Sequence, residues 1–197
     1  MRELVFLLEE HSARAMLESL LPRILSDDIQ YRLIAFEGKQ DLEKQLERRI
    51  RGYQNPLARF VILRDLDSHP DCRAVKQNLL GICRLSGKIQ FCLVRIACTE
   101  LETFYLADLA AVGMALQMSR LASHQNNRKF RSPDAIGNPS KELKLITGNR
   151  YQKVAGSREI GKYLQLDNAR SASFRNLVTG VRRMETELLA IPGRLQL

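Results

Sequence analysis

Residues 60–72 read FVILRDLDSHPDC, and the fold is decided there. Four consecutive apolar residues, Phe60 to Leu63, show no alternation, which is the pattern of a strand buried on both faces of a parallel sheet. The run ends at Asp65 and Asp67, two positions apart, and a turn containing Pro70 follows. In open α/β sheets the carboxyl ends of the strands deliver their residues to the crevice where ligands bind. Residues i and i+2 of an extended segment point the same way, so Asp65 and Asp67 are expected to face one cation together.

Outward from this strand, the chain alternates between two periods. ELVFLLE (3–9), YRLIAF (31–36) and IQFCLVRIACT (89–99) read as further strands. SARAMLESLLPRIL (12–25), GKQDLEKQLERRIRGY (38–53) and DCRAVKQNLLGICRLSG (71–87) carry apolar residues at helical spacing, the first with Ser12 as the expected N-cap. One more helix is expected over ELETFYLADLAAVGMAL (100–116). Strand and helix in alternation mean an α/β fold with a mainly parallel sheet and flanking helices. Residues 1–118 are assigned to this core. Residues 119–197 are assigned to a basic, mostly helical C-terminal region packed on it. That region opens with a long polar loop, SHQNNRKFRSPDAIGNPSKE (123–142), continues in short helical pieces and ends in a helix over about 171–190.

The formal net charge is +9, and its distribution matters more than its size. Residues 1–119 hold 16 Lys+Arg against 16 Asp+Glu, while residues 120–197 hold 15 against 6, so the whole excess is C-terminal. A basic excess confined to one part of a chain is the footprint of a polyanionic partner, most often nucleic acid, although an acidic protein would leave the same mark. Lys153, Arg158, Arg175, Arg182 and Arg183 are the expected phosphate-facing residues. The four cysteines contain no C-x-x-C pair, which argues for buried thiols over zinc or redox chemistry; Cys72 is the expected exposed one. No apolar run reaches the ~18 residues of a membrane span, and LVFLL meets Glu9 and Glu10 at once, unlike a secretory signal, so a cytoplasmic protein is expected.

The acids converge by topology. Glu9 ends the first expected strand, Asp65 and Asp67 the third, and Glu100 and Glu102 follow the fourth. All carboxyl ends of a parallel sheet lie on one edge, so residues far apart in sequence meet there. If the chain is still extended at Glu100 and Glu102 they face the same way; if the helix has begun they diverge. A lone D-x-D most often caps a turn or pairs with a neighbouring arginine such as Arg64 or Arg95, and Glu9 alone would equally cap the following helix. Three converging acidic ends are a different matter, because clustered carboxylates without a counter-charge repel and are partly neutralised. An all-oxygen set without His or Cys selects a hard ion, Mg²⁺ or Mn²⁺, the usual apparatus of phosphoryl transfer. The chain has no nucleophile elbow, Walker loop or G-x-G-x-x-G, which disfavours a hydrolase triad, a P-loop enzyme and a dinucleotide-binding enzyme.

On ELVFLLEEHSARAMLESLLPRIL, IAFEGKQDLEK, ARFVILRDLDSHPDC, RIACTELETFYLADL, YQKVAGSREI and DNARSASFRNL, which together span most of the chain, the sequence resembles the Toprim-like proteins of domain-of-unknown-function family 4276. The wider Toprim group includes topoisomerases, primases and overcoming-lysogenization-defect nucleases. It uses a Glu after the first strand and a D-x-D after the third to hold Mg²⁺. The resemblance implies that Glu9, Asp65 and Asp67 are catalytic and bind metal, with Glu100 and Glu102 as candidates for a second ion. It also implies a Mg²⁺- or Mn²⁺-dependent nuclease in bacterial phage defence with an ATPase partner. Where relatives commonly have glycine after the first acid, this chain has Glu10, which would either crowd the phosphate or add a ligand. Two other functions fit the same residues: a non-catalytic subunit that binds nucleic acid or an ATPase through its basic part, and an enzyme acting on a nucleotide or small phosphorylated metabolite.

Overall fold

Four parallel strands lie side by side in the order β2-β1-β3-β4: β1 Glu3–Leu8, β2 Gln30–Ala35, β3 Ala58–Asp65 and β4 Cys92–Ala97. The structure is a computed structural model and describes residues 1–191; residues 192–197 of the C-terminal region lie outside the described residues. Register is continuous across the sheet. Leu8 stands opposite Ala35 on one side and Leu63 on the other, and Asp65 stands opposite Ala97. The connection after β1 leads to one edge and the connection after β3 to the other, so a crevice opens between the carboxyl ends of these two central strands.

Both faces of the central strands β1 and β3 are covered, as their unalternating apolar runs require. Leu4, Phe6 and Leu8 of β1 and Val61 and Leu63 of β3 enter one core. Val5 and Leu7, with Phe60 and Ile62, enter the other. The second core is closed by α2 (Lys39–Arg51) through Leu42, Leu46 and Ile50, and by α3 (Cys72–Leu85) through Val75, Leu79 and Cys83. The first is closed by α1 (His11–Leu20), α7 (Lys153–Gly161) and α8 (Ala172–Leu189). α1 and α7 cross closely: a Cβ on Gly161 would stand 2.6 Å from the Met16 carbonyl oxygen, a distance only glycine avoids. Residues on both sides of position 118 thus fill one hydrophobic core.

Three details depart from the sequence expectations. Glu10, extended at φ −145° and ψ 164°, holds the N-cap position of α1, while Ser12 is buried inside the first turn and donates its hydroxyl hydrogen to the Glu10 carboxylate. The helix expected over 100–116 is two, α4 (Glu102–Leu106) and α5 (Leu109–Ala115). Asp108 breaks it by accepting from the Ala111 N–H at 3.1 Å and the Gln165 N–H at 2.8 Å. The polar stretch before α6 (Pro139–Ile146) holds three 3-10 turns, with Leu121 and Phe130 buried as anchors and the Gln125 side chain bonding Leu109, Leu106 and Phe130. Among the described residues no helix is long and apolar enough to cross a membrane. The cysteines are unpaired, with Cys83 buried and Cys72 exposed.

Candidate metal and phosphate site

Asp65 is the last residue of β3, on the same face as Val61 and Leu63, and only 8% exposed. Burial, and then the charges of Glu10, Glu9 and Glu102, push its carboxyl well above the ordinary range, against a backbone hydrogen bond from Leu101. Glu9 continues β1 by one residue. Its N–H donates to the Leu63 carbonyl at 3.1 Å, and its carboxylate accepts the Asp65 N–H at 2.9 Å, stitching the two acidic strand ends together. Burial also raises Glu9, with Asp67 adding to the shift. Arg64, turned to the opposite face, contacts Glu43 of α2 at 3.0 Å and approaches Glu9 only to 3.9 Å.

Asp67 lies beyond the strand in the left-handed region, φ 55°, held by its N–H donating to the Thr99 carbonyl at 2.7 Å. An αL conformation suits aspartate better than most residues and swings its side chain out of the period-2 alternation. Asp67 therefore does not share Asp65's surroundings: it is more exposed, and its carboxylate takes a hydrogen bond from Lys39, the first residue of α2, at 2.8 Å.

The two acids after β4 diverge. Thr99 is also left-handed (φ 62°), and the turn it makes brings α4 in at Glu102. Glu100 faces away and accepts the Ser140 N–H at 2.7 Å, at the start of α6. Glu102 is fully buried beside Asp65; one carboxylate oxygen accepts from the Tyr151 hydroxyl at 2.9 Å, and the other, Oε2, has no hydrogen-bond partner among the described residues. Burial raises its pKa, partly offset by Lys153. A buried carboxylate oxygen without a partner carries a large desolvation cost, so it marks a place that a cation would complete.

Lys153, the first residue of α7, supplies the nearest positive charge. Its Nζ sits 2.6 Å from Glu10 Oε2, and although half-burial works against the charge, the hydrogen bond to Glu10 and the fields of Glu10, Glu102 and Asp65 keep its pKa above the ordinary lysine value. Tyr151, which sequence reasoning did not single out, anchors this end of α7: its hydroxyl bonds both Glu102 and Ser157, and its ring packs where a Cβ on Gly156 would collide at 2.6 Å. Its only sequence signal is its place inside the family-like segment YQKVAGSREI.

Asp65, Glu9, Glu10, Glu102 and Lys153 are thus brought together, with Asp67 and Lys39 at the margin. The donor set is oxygen only and carries the orphaned Glu102 Oε2, which fits a hard divalent cation. Among the described residues, however, no three His, Cys, Asp or Glu side chains already converge as a ready-made ligand shell. The other expected phosphate contacts are spread over the surface. Arg158 pairs with Glu18 of α1 at 2.7 Å. Arg175, Arg182 and Arg183 lie along α8, which runs from Ser173, beside Cys98 at the carboxyl edge of the sheet, toward residues 189–191, bonded by Arg2 before β1. Arg182 and Arg183 are therefore on the far part of that helix from the acids.

A family described only as a domain of unknown function, DUF4276, matches residues 8–182. Among solved structures, the C-terminal region of the Burkholderia pseudomallei OLD protein is similar, with a TM-score of 0.54 at 18% sequence identity; the match covers 92% of this chain and 97% of that one. No curated protein matches.

Proposed function

The chain belongs to the DUF4276 family, and from that premise we propose that it is a divalent-cation-dependent nuclease that hydrolyses phosphodiester bonds at the carboxyl edge of the sheet. The observation that carries this reading is the pair of buried carboxylates Asp65 and Glu102, one with its ionisation suppressed and the other with an oxygen that has no partner among the described residues. A fold does not use buried charge for stability at such cost; sites that do are characteristically functional. The fold shared with a region of the OLD protein supports the nuclease class by analogy.

In this reading Asp65, Glu102 and Glu9 hold Mg²⁺ or Mn²⁺, with Asp67 at the rim and Glu10 joining when its contact with Lys153 opens. The ion would offset negative charge on the phosphate and leaving oxygens. The protein's own contribution is positioning. The Glu9 bond to the Asp65 N–H fixes the two central strand ends relative to each other, and Tyr151 holds Glu102 in one orientation. Lys153, half-exposed at the mouth, is placed to donate to a non-bridging phosphate oxygen once it is released from Glu10.

The Lys153–Glu10 contact also favours a second reading, in which the lysine neutralises the acids permanently and the chain is a non-catalytic nucleic-acid-binding subunit. Calorimetric titration of the apoprotein with Mn²⁺ separates the two. The nuclease reading expects stoichiometric heat that disappears in Asp65→Asn; a permanently neutralised site gives none in either protein.

A further inference from the structure

A second charged feature begins at the same edge of the sheet and is not needed by the acid cluster. β4 is an edge strand, and a groove of about 420 Å³ runs along it between α3 and α8. Its lining includes Arg73 and Lys76 from α3, Arg95 from β4, Asn176 from α8, and Cys72 and Cys98 at its upper end. Among the described residues no carboxylate lines it. The nearest acids are already engaged: Asp71 caps α3 through the Arg73 and Ala74 N–H groups, and Asp134 accepts from Ser171 and Ser173.

Arg95 is the informative residue. It stands inward on the strand, where Leu93 and Ala97 on either side are core, yet carries a guanidinium. Among the described residues it has no acidic partner. Its Nε donates to the Asn176 carbonyl at 2.8 Å and one terminal nitrogen donates to the Val94 carbonyl at 3.0 Å. Gly180 of α8 makes room for it, since a Cβ there would stand 2.7 Å from its other terminal nitrogen. Burial, and then Arg183, work against its charge. A fixed, half-buried guanidinium with cationic neighbours and no counter-ion is held at a cost that an anion in the groove removes.

We propose that the groove between α3 and α8 is a phosphate-binding track for the polynucleotide strand that enters the acid site, with Arg95 at its floor and Arg73 and Lys76 on its wall. The upper end of the track reaches the margin of that site: Cys98 precedes Thr99, whose carbonyl accepts the Asp67 N–H. A single phosphorylated metabolite would use the acid site without needing a second anion subsite along the strand. The inference rests on the nuclease reading for the identity of the polymer, but it concerns binding and is tested without cleavage.

The test measures binding of a single-stranded DNA, a duplex, an RNA and a nucleoside monophosphate in Ca²⁺, over a range of salt. Wild type is compared with Arg73→Gln/Lys76→Gln and with a charge-matched control on α2, Arg48→Gln/Arg49→Gln. Arg95→Gln is a separate arm, read together with its melting temperature. Losing two phosphate contacts lowers the slope of log affinity against log salt by about 2 on duplex. The expected result is that decrease on at least one polynucleotide for the α3 variant, no decrease for the α2 variant, and a monophosphate affinity unchanged by either. Equal decreases for both variants, no decrease for either, an effect confined to the monophosphate, or a wild type that binds no polynucleotide would each overturn the track. If the track binds as expected but no polymer is cut in Mg²⁺ or Mn²⁺, the nuclease reading falls and the track stands. If cleavage is seen but the α3 variant binds like wild type, the reverse holds.

Discussion

The Lys153 ammonium lies 2.6 Å from Glu10, and through that contact α7 is pinned over the carboxyl ends of β1 and β3. From the sequence, Glu10 beside the first acid is expected either to crowd the phosphate or to add a ligand. In the structure it is the acceptor that brings a cation from 143 residues away to the buried carboxylates Asp65 and Glu102.

Lys153→Met is therefore expected to destabilise the metal-free protein, because Glu10, Asp65 and Glu102 lose their shared counter-charge. The pair is partly exposed, 48% at lysine and 25% at glutamate, so its own coupling is reduced by solvent to about 1 kcal/mol or less. A double-mutant cycle with Glu10→Gln, by chemical denaturation at neutral pH, measures it. The raised lysine pKa means the contribution is fully present below the ordinary lysine value and is lost as pH rises through the raised one.

Asp65→Asn and Asp67→Asn should behave oppositely in EDTA. Asp65 has a folded pKa well above its ordinary 3.8, so its contribution to stability is fully present below about that pH and is lost as pH rises through the raised value. Removing the ionisable group spares the fold that loss. Asp65→Asn should melt higher than wild type at pH 7–8, with the gap closing as pH falls toward 4. Asp67, partly exposed and paired with Lys39, offers no such relief, and its asparagine variant should melt at or slightly below wild type. Each kcal/mol appears as roughly 2–4 °C in a chain of this size.

Gly161→Ala tests how tightly α1 and α7 cross. The added methyl meets the Met16 backbone oxygen, which cannot rotate away, so overpacking should cost about 1–3 kcal/mol and lower the melting temperature. Gly137→Ala, where an added Cβ meets nothing within 4 Å, is the control and should change little.

The centre of the sheet was legible because β1 and β3 are unalternating apolar runs, and the acids at their ends followed from parallel topology alone. The fate of each acid was not. Whether Glu100 and Glu102 point together depends on one left-handed residue, Thr99, and threonine gives no advance notice of φ 62°. Asp67 leaves its partner for the same reason. The long polar stretch hid its order because what holds it is a few scattered side chains, among them buried Leu121 and Phe130, Gln125 and Asp134, too few and too irregular to produce a period. Lys153 was singled out for its charge, but its contact with Glu10 is a tertiary event that no local pattern encodes. The charge excess of residues 120–197 gave no sign of Arg73, Lys76 and Arg95, which line the β4 groove and lie in the charge-balanced part of the chain.

The most direct measurement is cleavage of plasmid, linear DNA, tRNA and total RNA by the purified protein in Mg²⁺ or Mn²⁺, run beside EDTA controls and the variants Asp65→Asn and Glu102→Gln. The expected result is metal-dependent cutting of at least one polymer by wild type, reduced to background in both variants while each remains folded. Cutting that persists in EDTA or in either variant, or a wild type that cuts none of them, would contradict a metal-dependent nuclease site at Asp65 and Glu102.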